Sequence, residues 1–254
     1  MSDYGISFEN VSFAYGKEDV LHNVSAKIIS GEITALFGPN GSGKTTLLKC
    51  LAGLFKPQSG DIFIQGKSLL QISPGMRSQY VCYVPQEHAV SFAYTVEEVV
   101  LMGRTPYLGG VHGPGKKDYQ RAHEAMESIG IEAIAHLPYT ELSGGQRQMV
   151  LIARALAQEC DIMILDEPTS ALDFKNQIVV WKILKQLKLA GKTILVCTHD
   201  PNHVMWFCNR VLVLKKGNII ADGEVKDWMN ATLMGKLYGS ICTVQDYMVV
   251  PTIE

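Results

Sequence analysis

The chain of 254 residues sets 23 Lys and Arg against 25 Asp and Glu, a formal charge of −2. That near-balance argues against a broad electrostatic footprint for DNA or RNA, and a 47% hydrophobic share with 19% charged residues excludes a disordered chain. The length suits one large domain or two small ones; no apolar run approaches the roughly 18 residues needed to span a bilayer, and the opening Met1-Ser2-Asp3-Tyr4 lacks the basic flank and apolar stretch of a secretory signal.

In chain order, residues 6–66 carry short strand-like runs at 6–8, 11–15, 24–29, 33–37 and 62–64, punctuated by turn signals at Gly16, Gly31, Ser59-Gly60 and Gly66. A strand at 81–84 follows, ending at Pro85. Residues 95–157 read mostly as helix, at 96–102, 118–128 and 146–158, with an exposed Gly/Pro-rich loop from Leu108 to Gly115. Apolar strands return at 162–165, 193–197 and 211–214, and a helix at 176–190 separates the first two. Uninterrupted apolar strands joined by helices indicate a buried parallel sheet. The pattern predicts a single α/β domain whose core comes from residues 1–87 and 160–254, with a helical subdomain inserted at about 88–159.

Six cysteines, Cys50, Cys82, Cys160, Cys197, Cys208 and Cys242, are scattered without a C-x-x-C pair or a His at zinc-finger spacing. They are expected to be unpaired thiols in or near the core, as in a reducing compartment.

The strand at 33–37 opens into Gly38-Pro39-Asn40-Gly41-Ser42-Gly43-Lys44-Thr45-Thr46 and then an apolar helix start, the pattern G-x-x-x-x-G-K-[ST] between strand and helix. Gly38, Gly41 and Gly43 let successive backbone N–H groups wrap an oxyanion. The helix N-terminus adds its dipole and free donors. Lys44 is expected to reach the β- and γ-phosphates of a nucleoside triphosphate, Thr45 to ligate Mg²⁺, and Thr46 to contact the region of the α-phosphate.

The strand at 162–165 ends in Asp166-Glu167-Pro168. Ligands gather at the carboxyl ends of strands in an open α/β sheet, so both carboxylates should emerge beside the phosphate loop. Asp166 is placed to hold Mg²⁺ through a water, leaving Glu167 to orient or deprotonate the attacking water. A third strand ends in Thr198-His199-Asp200, where His199 is suited to fix Glu167 and that water in line; the remaining histidines read as structural.

Leu142-Ser143-Gly144-Gly145-Gln146 stands 20 residues before the Asp-Glu pair. With the phosphate loop, Asp166-Glu167, Ser170-Ala171-Leu172-Asp173 and His199, it resembles the ATP-binding cassette (ABC) ATPase family over residues 4–240 or so. The resemblance implies a phosphate-loop, RecA-like core of mainly parallel sheet with an N-terminal antiparallel β region. It also implies that Ser143, Gly144, Gly145 and Gln146 of one subunit cover the ATP of the other in a head-to-tail homodimer. Tyr15 then matches an aromatic stacked on adenine, Gln86 a glutamine linking Mg²⁺ and water to the helical subdomain, and Asp173 a carboxylate acting across the dimer.

The run from Ser91 to Tyr107 is similar to importer subunits for iron–siderophore, haem, cobalamin or molybdate. By that likeness the chain drives a separate integral-membrane permease, docked along the stretch from His88 to Pro106, on behalf of a substrate-binding protein. It would sit in the cytoplasm against the inner face of the cell membrane. The tail after Leu214 is too short for the regulatory domain of sugar-type importers. A soluble non-transport cassette, such as an iron–sulfur assembly factor, and an exporter subunit are the alternatives.

Overall fold

The structure, a computed structural model, describes residues 3–86, 94–108 and 113–252. Two long antiparallel strands open it, β1 (Tyr4–Tyr15) and β2 (Glu18–Ile29). The runs at 6–8 and 11–15 are one strand, because Glu9 and Asn10 between them face solvent within a bulged register. Then come β3 (Ile33–Phe37) and α1 (Lys44–Leu51). Next are β4 (Ser59–Ile64) and β5 (Lys67–Ser68), which complete an antiparallel sheet in the order β2-β1-β4-β5.

Among the described residues the middle of the chain is mainly helical apart from β6 (Val81–Val84), which follows α2 (Pro74–Tyr80). The next three helices start on capping contacts. For α3 (Val96–Leu101), Thr95 and Glu98 form a reciprocal capping box. For α4 (Lys116–Ile129), Asp118 accepts from the Gly115 N–H at 3.0 Å. For α5 (Gly144–Ala157), Ser143 and Gln146 cap each other. This helix begins two residues before the expected 146, because a capped first turn accommodates the Gly144-Gly145 pair that reads as loop. Of the expected loop from Leu108 to Gly115, residues 109–112 lie outside the described residues.

The second half alternates strand and helix. The order is β7 (Ile162–Asp166), α6 (Phe174–Leu189), β8 (Thr193–Cys197), α7 (Pro201–Phe207), β9 (Arg210–Lys215), β10 (Asn218–Glu224), α8 (Val225–Trp228) and α9 (Ala231–Tyr238). A terminal hairpin, β11 (Cys242–Gln245) and β12 (Met248–Pro251), closes the described chain. A second sheet runs β10-β9-β3-β8-β7-β6, parallel throughout except for antiparallel β9–β10.

Alternate residues of this sheet feed opposite layers. Leu36, Ile162, Ile164, Leu195 and Cys197 join a cluster with β1, β2, β4 and α1, so α1 lies between the two sheets. Full burial of Leu47, Leu48 and Leu51 there stabilises that packing by about 1.5–3 kcal/mol each. Ile33, Met163, Leu165, Ile194 and Val196 join the other cluster, shared with α3, α4, α5 and α6. The sheet is therefore held from both faces, and its strand ends are fixed points for a site. Among the described residues no helix is long and apolar enough to cross a membrane. All six cysteines are free; burial pushes the Cys50 thiol up to about 12, so it stays protonated and packs as a small hydrophobe.

Candidate nucleotide site

The buried strand β3 delivers the chain into residues 38–43, whose backbone only glycine can follow at two points. Gly38 has φ 152°, and a Cβ there would collide with the Leu214 carbonyl oxygen of β9. Gly43 has φ 98° and abuts the Val20 carbonyl and Leu21, so a Cβ would crowd β2. Gly43 also N-caps α1 without a side-chain cap, and no acidic residue occupies the first turn. The free N–H groups of that turn and the positive end of the helix dipole are thus left for an anion.

Lys44 is buried, and its Nζ donates to the carbonyls of Gly38 and Pro39, each at 2.9 Å. Two neutral carbonyls hold the ammonium over the loop. A cleft of about 490 Å³ opens beside it, lined by Val20, Asn40, Gly41, Gly43, Lys44, Thr45, Thr46, Gln86, Glu167 and His199. The Ser42 hydroxyl is buried beneath, without a hydrogen-bond partner among the described residues. Tyr15 flanks the far end, with its hydroxyl 3.3 Å from the Thr46 Oγ1 and its ring edge-on to Phe13 and Phe55. The Tyr15 ring is about half exposed, at 49%.

The two carboxylates at the end of β7 go to different surroundings. Asp166 is buried; its Oδ2 accepts from the Tyr83 hydroxyl on β6 at 3.3 Å, and its Oδ1 has no hydrogen-bond partner among the described residues. Burial pushes the Tyr83 phenol well up, and the adjacent Asp166 charge pushes it further, so the donor stays protonated. Glu167 adopts φ 48°, a left-handed backbone that costs a non-glycine residue about 1 kcal/mol or more. Its N–H donates to the Cys197 carbonyl, and the Ser170 N–H and hydroxyl donate to its own carbonyl. Glu167 Oε2 accepts from Gln86 Nε2 at 3.0 Å and lies 3.2 Å from His199 Nδ1. One carboxylate oxygen is therefore shared by two side chains, each from a different segment of the chain.

Ser143, Gly144, Gly145 and Gln146 do not line this cleft. They form the start of α5, where Ser143, Gly144 and Gln146 are exposed and the half-buried Gly145 approaches Ala171; a Cβ there would sit 3.1 Å from the Ala171 carbonyl oxygen. Asp173 closes the same segment by capping α6, accepting from the Asn176 N–H at 2.8 Å. The expected residues thus fall into two groups, one around the cleft and one along the surface formed by the start of α5 and residues 170–173.

Over residues 21–170 the sequence matches the profile of the ABC transporter family. The chain belongs to that family. It is 40% identical over 235 residues to the molybdate import ATP-binding protein MolC of Haemophilus influenzae, covering 92% of this chain and 87% of that relative. A metal-chelate-type ABC transporter in an inward-facing conformation superposes with a TM-score of 0.83 at 33% identity, covering 99% and 98% of the two chains. A bacterial ABC transporter cassette solved as a dimer superposes with a TM-score of 0.78 at 33% identity, covering 87% and 98%. This ABC cassette is accordingly an ATP-hydrolysing one, with the family's mixed α/β fold.

Two residues of the cassette escape sequence reading. Tyr83 looks like one more apolar position of a core strand, and only its register beside β7 reveals the reach to Asp166. Val20 lines the cleft because β2 starts at Glu18 rather than at 24, behind polar residues that mask the strand.

Proposed function

We propose that this chain is the ATP-hydrolysing subunit of an importer for a metal chelate or related oxyanion, of iron–siderophore, haem, cobalamin or molybdate type. It works as a head-to-tail homodimer beneath a separate permease. The observation that carries the hydrolytic reading is the sharing of Glu167 Oε2 between Gln86 and His199 at the wall of the phosphate-loop cleft.

In this reading ATP lies along residues 38–46, with its phosphates against the loop N–H groups and the Lys44 ammonium, and adenine on Tyr15. Glu167 takes the proton of the attacking water, while His199 holds that carboxylate and the γ-phosphate in line. The residues present fit Mg²⁺: a buried Asp166 oxygen without a partner, the Thr45 hydroxyl at the cleft and the Gln86 amide form a hard oxygen donor set. Bound there, Mg²⁺ would neutralise charge building on the β- and γ-phosphates.

The exposed start of α5, away from the cleft of its own chain, supports a composite site in which Ser143, Gly144, Gly145 and Gln146 of one copy close over ATP in the other. Asp173 and its neighbours, which back the start of α5, would carry that contact across the dimer. The helical subdomain at about 88–159 moves against the core at 1–87 and 160–254 as ATP binds. Closure follows from contacts made only in the closed state, and hydrolysis releases them.

The metal-chelate transporter and the molybdate-import relative support the importer reading. The permease contact proposed from His88 to Pro106 rests on its exposed described residues. Residues 88–93 lie outside the described residues, Val96, Val99, Val100 and Arg104 are buried, and Tyr94 and Met102 remain exposed. The chain would sit on the inner face of the membrane through that permease. Co-expression with the permease and the substrate-binding protein tests this directly. ATP hydrolysis by the reconstituted complex should rise when loaded binding protein is added; an unchanged rate with every cargo of the group would overturn the importer reading.

A further inference from the structure

The C-terminal hairpin lies outside the matched family profile, yet its hydrogen bonds lead back to the cleft. Asn202 on α7 donates from Nδ2 to the Val249 carbonyl at 3.3 Å and accepts the Val249 N–H on Oδ1 at 2.7 Å. Both polar ends of one amide are spent on one residue of β12. The connection from Asn202 back to His199 has no slack. The Asn202 N–H donates to Asp200 Oδ1 at 2.8 Å, and the Asp200 N–H donates to Thr198 Oγ1 at 3.2 Å. His199 sits inside this pair of tight turns and reaches Glu167 Oε2.

α7 itself needs outside support, since a seven-residue helix is unstable alone. On one flank His203 packs against Trp181, with ring centroids 5.5 Å apart, and Trp181 stacks on Phe207. Elsewhere Val204 and Met205 share a cluster with Cys242, Val244 and Val249 of the hairpin. The hairpin has no fully buried residue of its own, and an isolated two-stranded hairpin is marginal in water. Hairpin and helix therefore stabilise each other.

We propose that the β11–β12 hairpin braces His199 through Asn202, which makes Asn202 a positioning residue for ATP hydrolysis. The proposal rests on the role assigned to His199 above. Anything that lifts the hairpin from α7 would loosen the His199–Glu167 contact while leaving the phosphate loop intact.

Steady-state hydrolysis by the full chain tests it with Asn202→Ala, Asn202→Asp, His199→Ala and the double variant. Misplacing a catalytic contact by an ångström can cost up to about a hundredfold, so Asn202→Ala should lower kcat about tenfold and leave KM for ATP within about twofold. Asn202→Asp keeps the acceptor for the Val249 N–H and should recover most of that loss. In the His199→Ala background, Asn202→Ala should change the residual rate by less than about twofold, because both act through one contact.

Wild-type kcat in Asn202→Ala, or the same tenfold loss with and without His199, would overturn the brace. If His199→Ala alone hydrolyses at the wild-type rate, the reading of His199 falls and the brace with it. If His199→Ala is crippled while Asn202→Ala is not, only the brace falls. Should Asn202→Ala fail to fold, Asn202→Leu keeps the volume, removes both bonds and carries the same comparison.

Discussion

Tyr83 on β6 donates its hydroxyl to Asp166 on the neighbouring strand β7, and both sit at the carboxyl edge of one parallel sheet. That bond engages one oxygen of a buried carboxylate, and the other has no hydrogen-bond partner among the described residues. Tyr83→Phe preserves the ring and removes the donor. An unmade bond to a buried charged group costs about 1–3 kcal/mol, and the 3.3 Å length puts this one at the low end. The urea midpoint should fall by about 1 kcal/mol equivalent, and more Mg²⁺ should be needed for half-maximal ATP binding. An unchanged midpoint together with an unchanged Mg²⁺ requirement would show that the bond holds nothing in place.

Lys44 is held over the glycine loop by two carbonyls, which phosphate oxygens would replace in the proposed site. Lys44→Ala should abolish tight ATP binding, measured by calorimetry or by a fluorescent nucleotide analogue. Unchanged affinity would remove the loop from the nucleotide site.

Ser143 has two separable tasks. It caps α5, a contribution of about 1 kcal/mol, and in the proposed dimer it meets the ATP of the second copy. Ser143→Arg should block hydrolysis while ATP binding to the monomer persists. Ser143→Asp retains a good cap and adds a negative charge, so it should unfold like the wild type yet hydrolyse far more slowly. Full-rate hydrolysis by Ser143→Asp would contradict the composite site.

Burial depresses the His203 imidazole below its usual 6.5; nearby His199 lowers it further and Asp200 partly opposes the shift. The unfolded chain therefore takes up this proton first as pH falls. The associated stability is fully present above pH 6.5 and is lost as pH drops below that value towards the folded pKa. His203→Phe should flatten the acid side of the stability profile measured by chemical denaturation between neutral and mildly acid pH. An acid limb identical to the wild type would show that His203 does not set it.

The architecture was legible wherever apolar runs were long and bounded. β3, β6 and β8 match the expected spans residue for residue, since β3 and β8 are buried along their length, β6 is buried except at Tyr83, and each ends at a Gly, a Pro or a Thr-His pair. The glycine loop and the Asp166-Glu167 pair carry their chemistry in sequence, because both are local to one strand end. Long-range placement was not legible. Asn202 and Val249 are 47 residues apart, and nothing in either neighbourhood announces a pairing. β10 and the terminal hairpin also escaped, because half-buried strands at the margin of a fold mix polar and apolar residues without strict alternation. The contact between Gly145 and Ala171 required the fold, since it joins the first turn of α5 to a distant turn, and each sequence looks complete alone.

The central claim is that Glu167 drives hydrolysis in a site closed by a second copy of the chain. Replacing it by glutamine keeps the shape of the side chain and removes the base. Size-exclusion chromatography of Glu167→Gln with ATP and Mg²⁺, coupled to light scattering, reads the outcome directly. A stable dimer that retains ATP and collapses to monomer when the nucleotide is withdrawn is the expected result. A variant that stays monomeric with saturating ATP, or that hydrolyses it at the wild-type rate, would contradict the claim.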